Sequence, residues 1–256
     1  MALYNMGLLM EKNSNTWVGL TLLGICLAIG IIISSMLVAR TVEKIKIQNQ
    51  RIQIKGFAEQ KITSDLAVWQ SRITTRSQDL VAAYNKLKQD LQKVLSYLEQ
   101  KGIDKKDIEV SSVSTIIQYQ LTPEGIATNI IDGYVLDQNI SITSPNVSEI
   151  SEIANESTSL IEEGIEFASY TPQYYYTKLD DLKIQLLGEA TKNAKMRAEQ
   201  LAKNSGSEVG TLKYASQGVF QITPVNSTDV SDYGIYDTST IEKSIKAVVT
   251  IEYSIK

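Results

Sequence analysis

The run of 23 uncharged residues from Trp17 to Ala39 constrains the fold of this chain more than any other feature of its sequence. A helix of this length rises about 34 Å, at about 1.5 Å per residue, and therefore crosses a hydrocarbon core of about 30 Å. Trp17 and Arg40 flank the run, as aromatic and basic side chains often do at membrane interfaces. The run predicts a transmembrane anchor over residues 17–39 that contacts membrane lipid.

Two other interpretations of the run are a buried helix of a soluble domain and a cleaved signal peptide. Buried helices rarely contain so long an apolar run, and the apolar region of a signal peptide usually has about 7–15 residues. We therefore favour a retained anchor. The predicted organisation is an N-terminal tail, the anchor, a connector and one folded domain, over residues 1–16, 17–39, 40–51 and 52–256.

Small residues recur four positions apart within the span. Gly24 is followed by Ala28, and Gly30 is followed by Ser34. This spacing allows another helix to approach closely, although such pairs are common in membrane spans.

The charges on the two sides of the span predict its orientation. Before the span Lys12 stands beside Glu11, whereas the residues after it include Arg40, Lys44, Lys46 and Arg51. Because basic residues favour the cytoplasmic side, these charges alone place the C-terminal part in the cytoplasm.

Composition excludes several classes of function. The chain has no histidine, and its one cysteine, Cys26, lies inside the apolar run, so zinc sites and Ser–His or Cys–His catalysis lack their side chains. The net charge of −4 gives no electrostatic basis for binding nucleic acid. We predict no enzymatic activity, no metal site and no cofactor. An enzyme would need a carboxylate or Ser–Lys mechanism, for which the sequence offers no motif.

Periodicity and turn residues after residue 51 predict an α+β fold, with helices packed on largely antiparallel sheets. The predicted order is ββαββαβαββ, preceded by one transmembrane helix. A polar loop is predicted over 223–240. Strands are predicted within 52–73 (two), 107–121, 133–144, 165–176, 208–222 and 242–256, and helices over 79–101, 146–163 and 177–206.

The third of these helices contains six apolar residues spaced four apart. They form a ridge that drifts around the helix, so that one flat sheet would not cover it, and the small alanines allow close approach. Two interpretations remain open: packing in a groove of the same domain, or contact with a second subunit. The residues of this stripe are Leu182, Leu186, Ala190, Ala194, Ala198 and Ala202.

Four tyrosines lie at the end of the strand before this helix: Tyr170, Tyr174, Tyr175 and Tyr176. Exposed tyrosines supply rigid contact area at interfaces, whereas paired strands also pack aromatic rings against each other. The sequence does not choose between an interaction surface and cross-strand packing.

Several stretches resemble the SIMPL-domain family of bacterial periplasmic immunogenic and oxidative-stress-defence proteins. They are IKGFAEQKITSDLAV, VLSYLEQKGIDKKDIEVSSVSTIIQY, GYVLDQNISIT and, most specifically, EATKNAKMRAEQLAKNSGSEVGTL. The resemblance covers residues 50–256. One departure is Ser64-Asp65, where members of the family usually have Pro-Asp.

The resemblance implies no catalytic residues, and it implies an extracytoplasmic location, against the flanking charges. Because the known members include proteins that form multi-subunit rings, it also implies a ring- or cage-like homo-oligomer with a structural or interaction role. The alternative is an envelope binding module for a lipid, peptide or polymer, which would use the tyrosine-rich strand and the 223–240 loop.

Overall fold

The computed structural model describes the backbone of residues 4–48 and 50–255 and the side chains of residues 17–43 and 50–255. It confirms a mixed α+β fold with antiparallel sheets. The helices are α1 (Tyr4–Gln48), α2 (Leu80–Gln100), α3 (Val147–Glu156) and α4 (Leu179–Asn204). The strands are β1 (Arg51–Thr63), β2 (Leu66–Ser77), β3 (Ile108–Val110), β4 (Ser114–Leu121), β5 (Ala127–Ser144), β6 (Glu166–Ser169), β7 (Gln173–Tyr175), β8 (Val209–Gln217), β9 (Gln221–Pro224), β10 (Ile235–Tyr236) and β11 (Glu242–Ile255).

Four predicted elements differ in detail from the structure. The predicted strand 165–176 is divided into β6 and β7 around Pro172, which lacks the N–H that a sheet ladder needs. Likewise, 107–121 forms β3 and β4, and 208–222 forms β8 and β9. The predicted helix 146–163 ends as an α-helix at Glu156 and continues as a 3₁₀ helix over Ser157–Ile161.

The largest difference concerns the connection predicted over 122–132. Residues Thr122–Gly125 make a tight turn, in which the Gly125 amide donates to the Thr122 carbonyl at 2.8 Å and Gly125 has a φ of 80°. Pro123 suits the second position of such a turn, and glycine adopts this φ without strain. Strand β5 therefore begins at Ala127, and β4 and β5 form one long hairpin.

Contacts divide the chain into two units. The first contains Met1–Lys55, Ala194–Ser216 and Thr250–Lys256, and the second contains Gly56–Asn193 and Gln217–Val249. In the first unit α1 continues through Gln48, so the predicted connector is largely helical. Also in this unit, the Arg51 guanidinium contacts the Glu252 carboxylate at 3.4 Å.

The second unit contains a six-stranded sheet of order β3-β5-β2-β6, in which β4 also pairs with β5 and β7 also pairs with β2. Side chains alternate along β2: Trp69 and Ile73 point into the core, whereas Gln70 and Arg72 are exposed on the other face. Helices α2 and α3 supply the rest of the core, because apolar stripes such as Leu87 to Leu98 are fully buried. The sheet therefore has one apolar face and one polar face.

A second sheet has the order β1-β11-β9-β10, and β8 also pairs with β11. Within the second unit, β11 pairs antiparallel with β9, and β10 runs parallel to β9. Strand β10 lies inside the predicted 223–240 loop. This loop is therefore pinned at its C-terminal end, whereas Tyr233 in its middle is 98% exposed.

The stripe of α4 is buried within the single chain, since none of its six side chains is more than 5% exposed. The helix also contacts β1: in the second unit Asn193 Oδ1 accepts from the Phe57 amide at 3.2 Å. In the first unit Arg197 donates to the Lys55 carbonyl at 3.3 Å. Sheets twist, and a twisted surface follows a ridge that a flat one would leave uncovered. These observations favour packing inside the chain over the alternative of a subunit contact.

We predict that Ala198→Leu destabilises the fold by about 1–3 kcal/mol, because the additional carbon atoms of leucine cannot be fitted beside a fully buried alanine without strain. Chemical unfolding of the purified protein measures this change. Met196→Leu is the matched control, because Met196 lies on the same helix and is exposed, and it should change stability by less than about 0.5 kcal/mol. Equal stabilities for Ala198→Leu and the wild type would contradict close packing at this ridge.

Candidate functional site

The anchor region is a helix long and apolar enough to span a membrane. The segment Trp17–Glu43 contains an 18-residue window with a mean hydropathy of 2.6, and none of that window is buried by the rest of the chain. Thr21 and Ser35 donate to backbone carbonyls of their own helix, which satisfies their hydroxyl groups without water. A signal sequence near the N-terminus can meet the same criteria, so the helix is compatible with membrane anchoring.

The small-residue pairs and end residues predicted for the anchor all belong to helix α1. Trp17 and Arg40 are exposed at the two ends of the apolar run. Gly24 and Gly30 have open space beside their Cα atoms, since nothing lies within 4 Å of an added Cβ. Ala28 and Ser34 are exposed as well.

The four tyrosines have different environments. Tyr174 is buried in the core, with the Lys243 ammonium group 6.0 Å from its ring centre. Tyr170 is 42% exposed and lies beneath the Arg72 guanidinium. The Tyr175 ring lies 6.2 Å from the ring of Tyr236, and Tyr176 is half-buried. The tyrosines therefore do not form one surface.

Lys243 on β11 is the one charged group among the fully buried large side chains of the described residues. Its ammonium group donates to Ser64 Oγ at 3.0 Å and to the Thr240 carbonyl, and lies 3.9 Å from Asp237 Oδ2. Burial lowers the pKa of Lys243, and the negative charges of Asp237 and Glu242 oppose that change. No sequence pattern distinguished this lysine from the exposed ones.

Asp237 organises the polar groups around this lysine. It accepts hydrogen bonds from Ser239 and from Thr240 through both their backbone amides and their hydroxyl groups. Burial raises the pKa of Asp237, but the hydrogen bonds from Thr240 and Ser239 and the charge of Lys243 outweigh it, so the pKa lies below its ordinary 3.8. The carboxylate is therefore ionised at neutral pH.

The Lys243 network fastens the end of the 223–240 loop to three other elements. The Ser64 amide donates to the Ile241 carbonyl at 2.9 Å, and the Tyr174 amide donates to the Thr238 carbonyl at 2.8 Å. The Asp237 amide donates to the Ile222 carbonyl at 2.9 Å. A serine hydroxyl beside an amine of lowered pKa resembles a Ser–Lys pair, but Ser64 and Lys243 are closed to solvent. What the network does here is hold the loop.

The β4–β5 hairpin presents an exposed apolar surface in the second unit. Every side chain of β4 is exposed, and the first buried residue of β5 is Gly133. Because adjacent strand residues point to opposite faces, the pairs Ile116–Ile117 and Ile130–Ile131 make both faces apolar. Its exposed large apolar residues are Ile116, Ile117, Tyr119, Leu121, Ile126, Ile130 and Ile131.

The outer edge of the hairpin, formed by β4, has no strand paired with it among the described residues. Among the described residues β4 pairs with β5 alone, with a register shift between Gln118 and Tyr119. Edge strands of natural proteins usually carry charges or prolines that prevent further pairing, and β4 carries neither. The sequence signal for the hairpin was the Pro-Glu-Gly turn between two β-rich stretches.

No group of three or more Cys, Asp or Glu side chains within the described residues is placed to hold a metal ion. The candidate features of the chain are therefore an apolar helix, a buried polar network and exposed surfaces.

Comparison with known proteins gives one informative match. The family model described as "SIMPL: Protein of unknown function (DUF541)" matches residues 52–253. The chain therefore belongs to the SIMPL family. No curated protein matches it. Among solved structures, a chain titled "De novo designed protein Foldit4" is similar at 14% identity, over 41% of this chain and 93% of that one, with a TM-score of 0.23. That likeness is too slight to bear on fold or function.

We predict that Asp237→Asn lowers the free energy of unfolding by about 1–3 kcal/mol at pH 7, because the charged acceptor of the network is lost. A carboxyl group with a lowered folded pKa adds stability above its unfolded pKa, ordinarily 3.8, and loses it as pH falls through the folded pKa. The stability gap between wild type and variant should therefore be constant above about pH 5 and shrink below pH 4.

Denaturant unfolding at a series of pH values measures this gap. Asp229→Asn is the control, because Asp229 is an exposed carboxylate in the same loop whose partner is the neighbouring Ser227. A gap that stays constant down to pH 2, or an equal effect at Asp229, would exclude the assigned role of Asp237.

Proposed function

We propose that this member of the SIMPL family is a membrane-anchored, extracytoplasmic protein that assembles into a ring- or cage-like homo-oligomer with a structural or interaction role in the cell envelope. The observation that carries the proposal is the β4–β5 hairpin, which exposes apolar side chains on both faces. The apolar helix Trp17–Glu43 is compatible with the anchor.

Burial of the hairpin's exposed apolar side chains against another surface is energetically favourable. A two-stranded hairpin alone is marginally stable in water, and here the seven large apolar residues of the ribbon lie outside the core and are 42–66% exposed. Burying one such side chain is worth about 1.5–3 kcal/mol. Contact with two or three of them would therefore supply a substantial part of the free energy of association.

The near absence of charged residues on the hairpin favours a second copy of the chain as the surface that buries it. Between Ser114 and Ile131 the only charged residue is Glu124, at the turn. Such a surface cannot steer or select a charged partner, so its complement is another apolar surface. The hairpin of an identical chain is such a surface, and the open edge of β4 can pair with another β4 or with another strand edge.

The anchor strengthens this association. Identical chains inserted in the same way in one membrane present their hairpins on the same side of it. Confinement to the membrane also raises the effective concentration of one hairpin near another, which turns a weak contact into a populated one. Anchor and hairpin therefore cooperate in the proposed assembly.

The proposed location rests on the family resemblance, and the charges that follow the span argue for the opposite orientation. Protease added to intact spheroplasts distinguishes the two. Degradation of the C-terminal part supports an extracytoplasmic domain, and full protection supports the orientation that the charges favour.

The alternative function is a binding module, and one groove of the second unit favours it. The groove has a volume of about 630 Å³ and is lined mainly by apolar and aromatic residues of the loop region, among them Val219, Phe220, Tyr233 and Tyr236. A lipid that co-purifies with the full chain and is lost on Phe220→Asp would support this alternative.

We predict that Ile117→Lys combined with Ile130→Lys converts the oligomer to smaller species, because two buried charges per hairpin would oppose the apolar contact. Mass photometry of the detergent-extracted full chain measures the particle mass. The wild type should exceed the mass of one chain by an integral factor, and the variant should return toward it. Thermal unfolding should show that the variant stays folded, since these side chains are outside the core.

Ile184→Lys is the matched control, because Ile184 is an exposed isoleucine of the same unit outside the hairpin. It should leave the particle mass unchanged. A monomeric wild type, or a double variant of unchanged mass, would contradict assembly through the hairpin.

A further inference from the structure

A second surface of the six-stranded sheet has the features of a ligand site. The polar face carries a groove of about 440 Å³, within the range of small-molecule pockets. It is lined chiefly by polar side chains of β2, β3 and β5 and by Tyr170. The assembly proposed above does not involve this face.

Strand pairing fixes the arrangement of these side chains. Glu109 on β3 lies opposite Ser141 on β5, and Ser141 lies opposite Gln70 on β2. In the next pair on the same face, two residues along each strand, Asn139 lies opposite Arg72. The groove therefore has a carboxylate at one wall, amides and a hydroxyl in the middle, and a guanidinium at the other wall.

Arg72 is held in place without an acidic partner. Its Nε donates to Asn139 Oδ1 at 3.1 Å, and its guanidinium lies 5.7 Å from the centre of the Tyr170 ring. Its neighbour on β6 is Ala168, which is small and uncharged. The two terminal nitrogens remain available, in the fork geometry that binds a carboxylate with two hydrogen bonds.

Arg76, on the same face of β2, differs from Arg72 because it is paired with a carboxylate. It makes a paired contact with Glu166, with Nη2 2.9 Å from Oε1 and Nε 3.2 Å from Oε2. That contact raises the pKa of Arg76 through the hydrogen bond and charge of Glu166. Within the described residues, neither Arg72 nor Glu109 has an ion-pair partner of this kind.

The spacing of the two unpaired charges sets the length of a ligand. Glu109 and Arg72 are two strand spacings apart across the sheet and two residues apart along it, which separates their Cα atoms by about 12 Å. An extended chain spans about 3.3–3.6 Å per residue, so three residues reach from one charge toward the other. The side-chain amides of Gln70 and Asn139 lie between, where peptide groups need donors and acceptors.

We propose that this groove binds a short zwitterionic peptide of about three residues, with its terminal carboxylate on Arg72 and its terminal ammonium group on Glu109. Gln70, Asn139 and Ser141 bind the peptide groups between the two ends. Tyr170 restricts the Arg72 side chain and gives the ligand a flat apolar contact.

Saturation-transfer NMR with trialanine and the full-length protein in nanodiscs tests this site. Trialanine should bind saturably, and capping either end, as the C-terminal amide or the N-acetyl derivative, should weaken binding at least tenfold. Arg72→Gln should weaken trialanine binding to the same extent but should not weaken binding of the amide further, because both changes remove one contact. Glu109→Gln should behave in the same way toward the N-acetyl peptide.

Arg76→Gln is the matched control, since it removes a paired arginine from the same strand face, and it should change trialanine binding less than twofold. Absence of saturable binding, equal affinity for the capped peptides, or equal effects at Arg72 and Arg76 would each overturn the proposal. Binding of neutral tri-N-acetylglucosamine in place of trialanine would also overturn it. The capped peptides test the site without any substitution, so the result does not depend on variants that fold.

Discussion

The antiparallel pairing of β5 with β2, over eleven consecutive residue pairs, is the interaction on which the rest of the second unit depends. It places Leu136, Ile140 and Ile142 of β5 on the same buried face as Trp69 and Ile73 of β2, where α2 and α3 complete the core. The same register sends Asn139 and Ser141 to the polar face. Because side chains alternate, a slip of one residue would exchange core and groove, so burial of the apolar face fixes both.

Strand β5 is also longer than the core that holds it. Its C-terminal part, from Gly133, is anchored by buried side chains, whereas its first residues continue past the sheet with β4 as their only pairing partner among the described residues. One strand thus connects the buried core to an exposed apolar ribbon, and the polar groove lies on a separate part of the same strand. The buried Lys243 holds the loop end at 237–241 by hydrogen bonds and takes no part in either surface.

The sequence predicted most of the elements because their signals are local. Apolar spacing located α2 and α4, glycines at positive φ mark the ends of three helices or helical turns, and the long apolar run identified the helix that is compatible with a membrane span.

The features that the sequence did not predict depend on contacts between residues far apart in the chain. Nothing near Lys243 in the sequence shows that Ser64 lies 3.0 Å from its ammonium group, and nothing near Tyr174 shows that it is core whereas Tyr170 is exposed. The stripe of α4 drifts around its helix and would not be covered by a flat sheet, but sheets twist, and all six of its residues are buried within one chain. The sequence did not predict the hairpin, because residues 126–132 were assigned to a connection. The tight turn at Thr122–Gly125 ends before them, so most of these residues belong to strand β5.

The central claim of this account is that hairpins of different chains meet in the membrane-anchored state. The direct test replaces Cys26 by serine, introduces Ile117→Cys, and treats intact membranes with a short flexible bis-maleimide. The reference is Tyr233→Cys in the same background, because Tyr233 is 98% exposed and lies far along the chain from the hairpin. The account predicts cross-linked dimers for the hairpin cysteine at yields well above those of the reference. Equal yields at the two positions, with both thiols fully reactive toward a monofunctional maleimide, would contradict it.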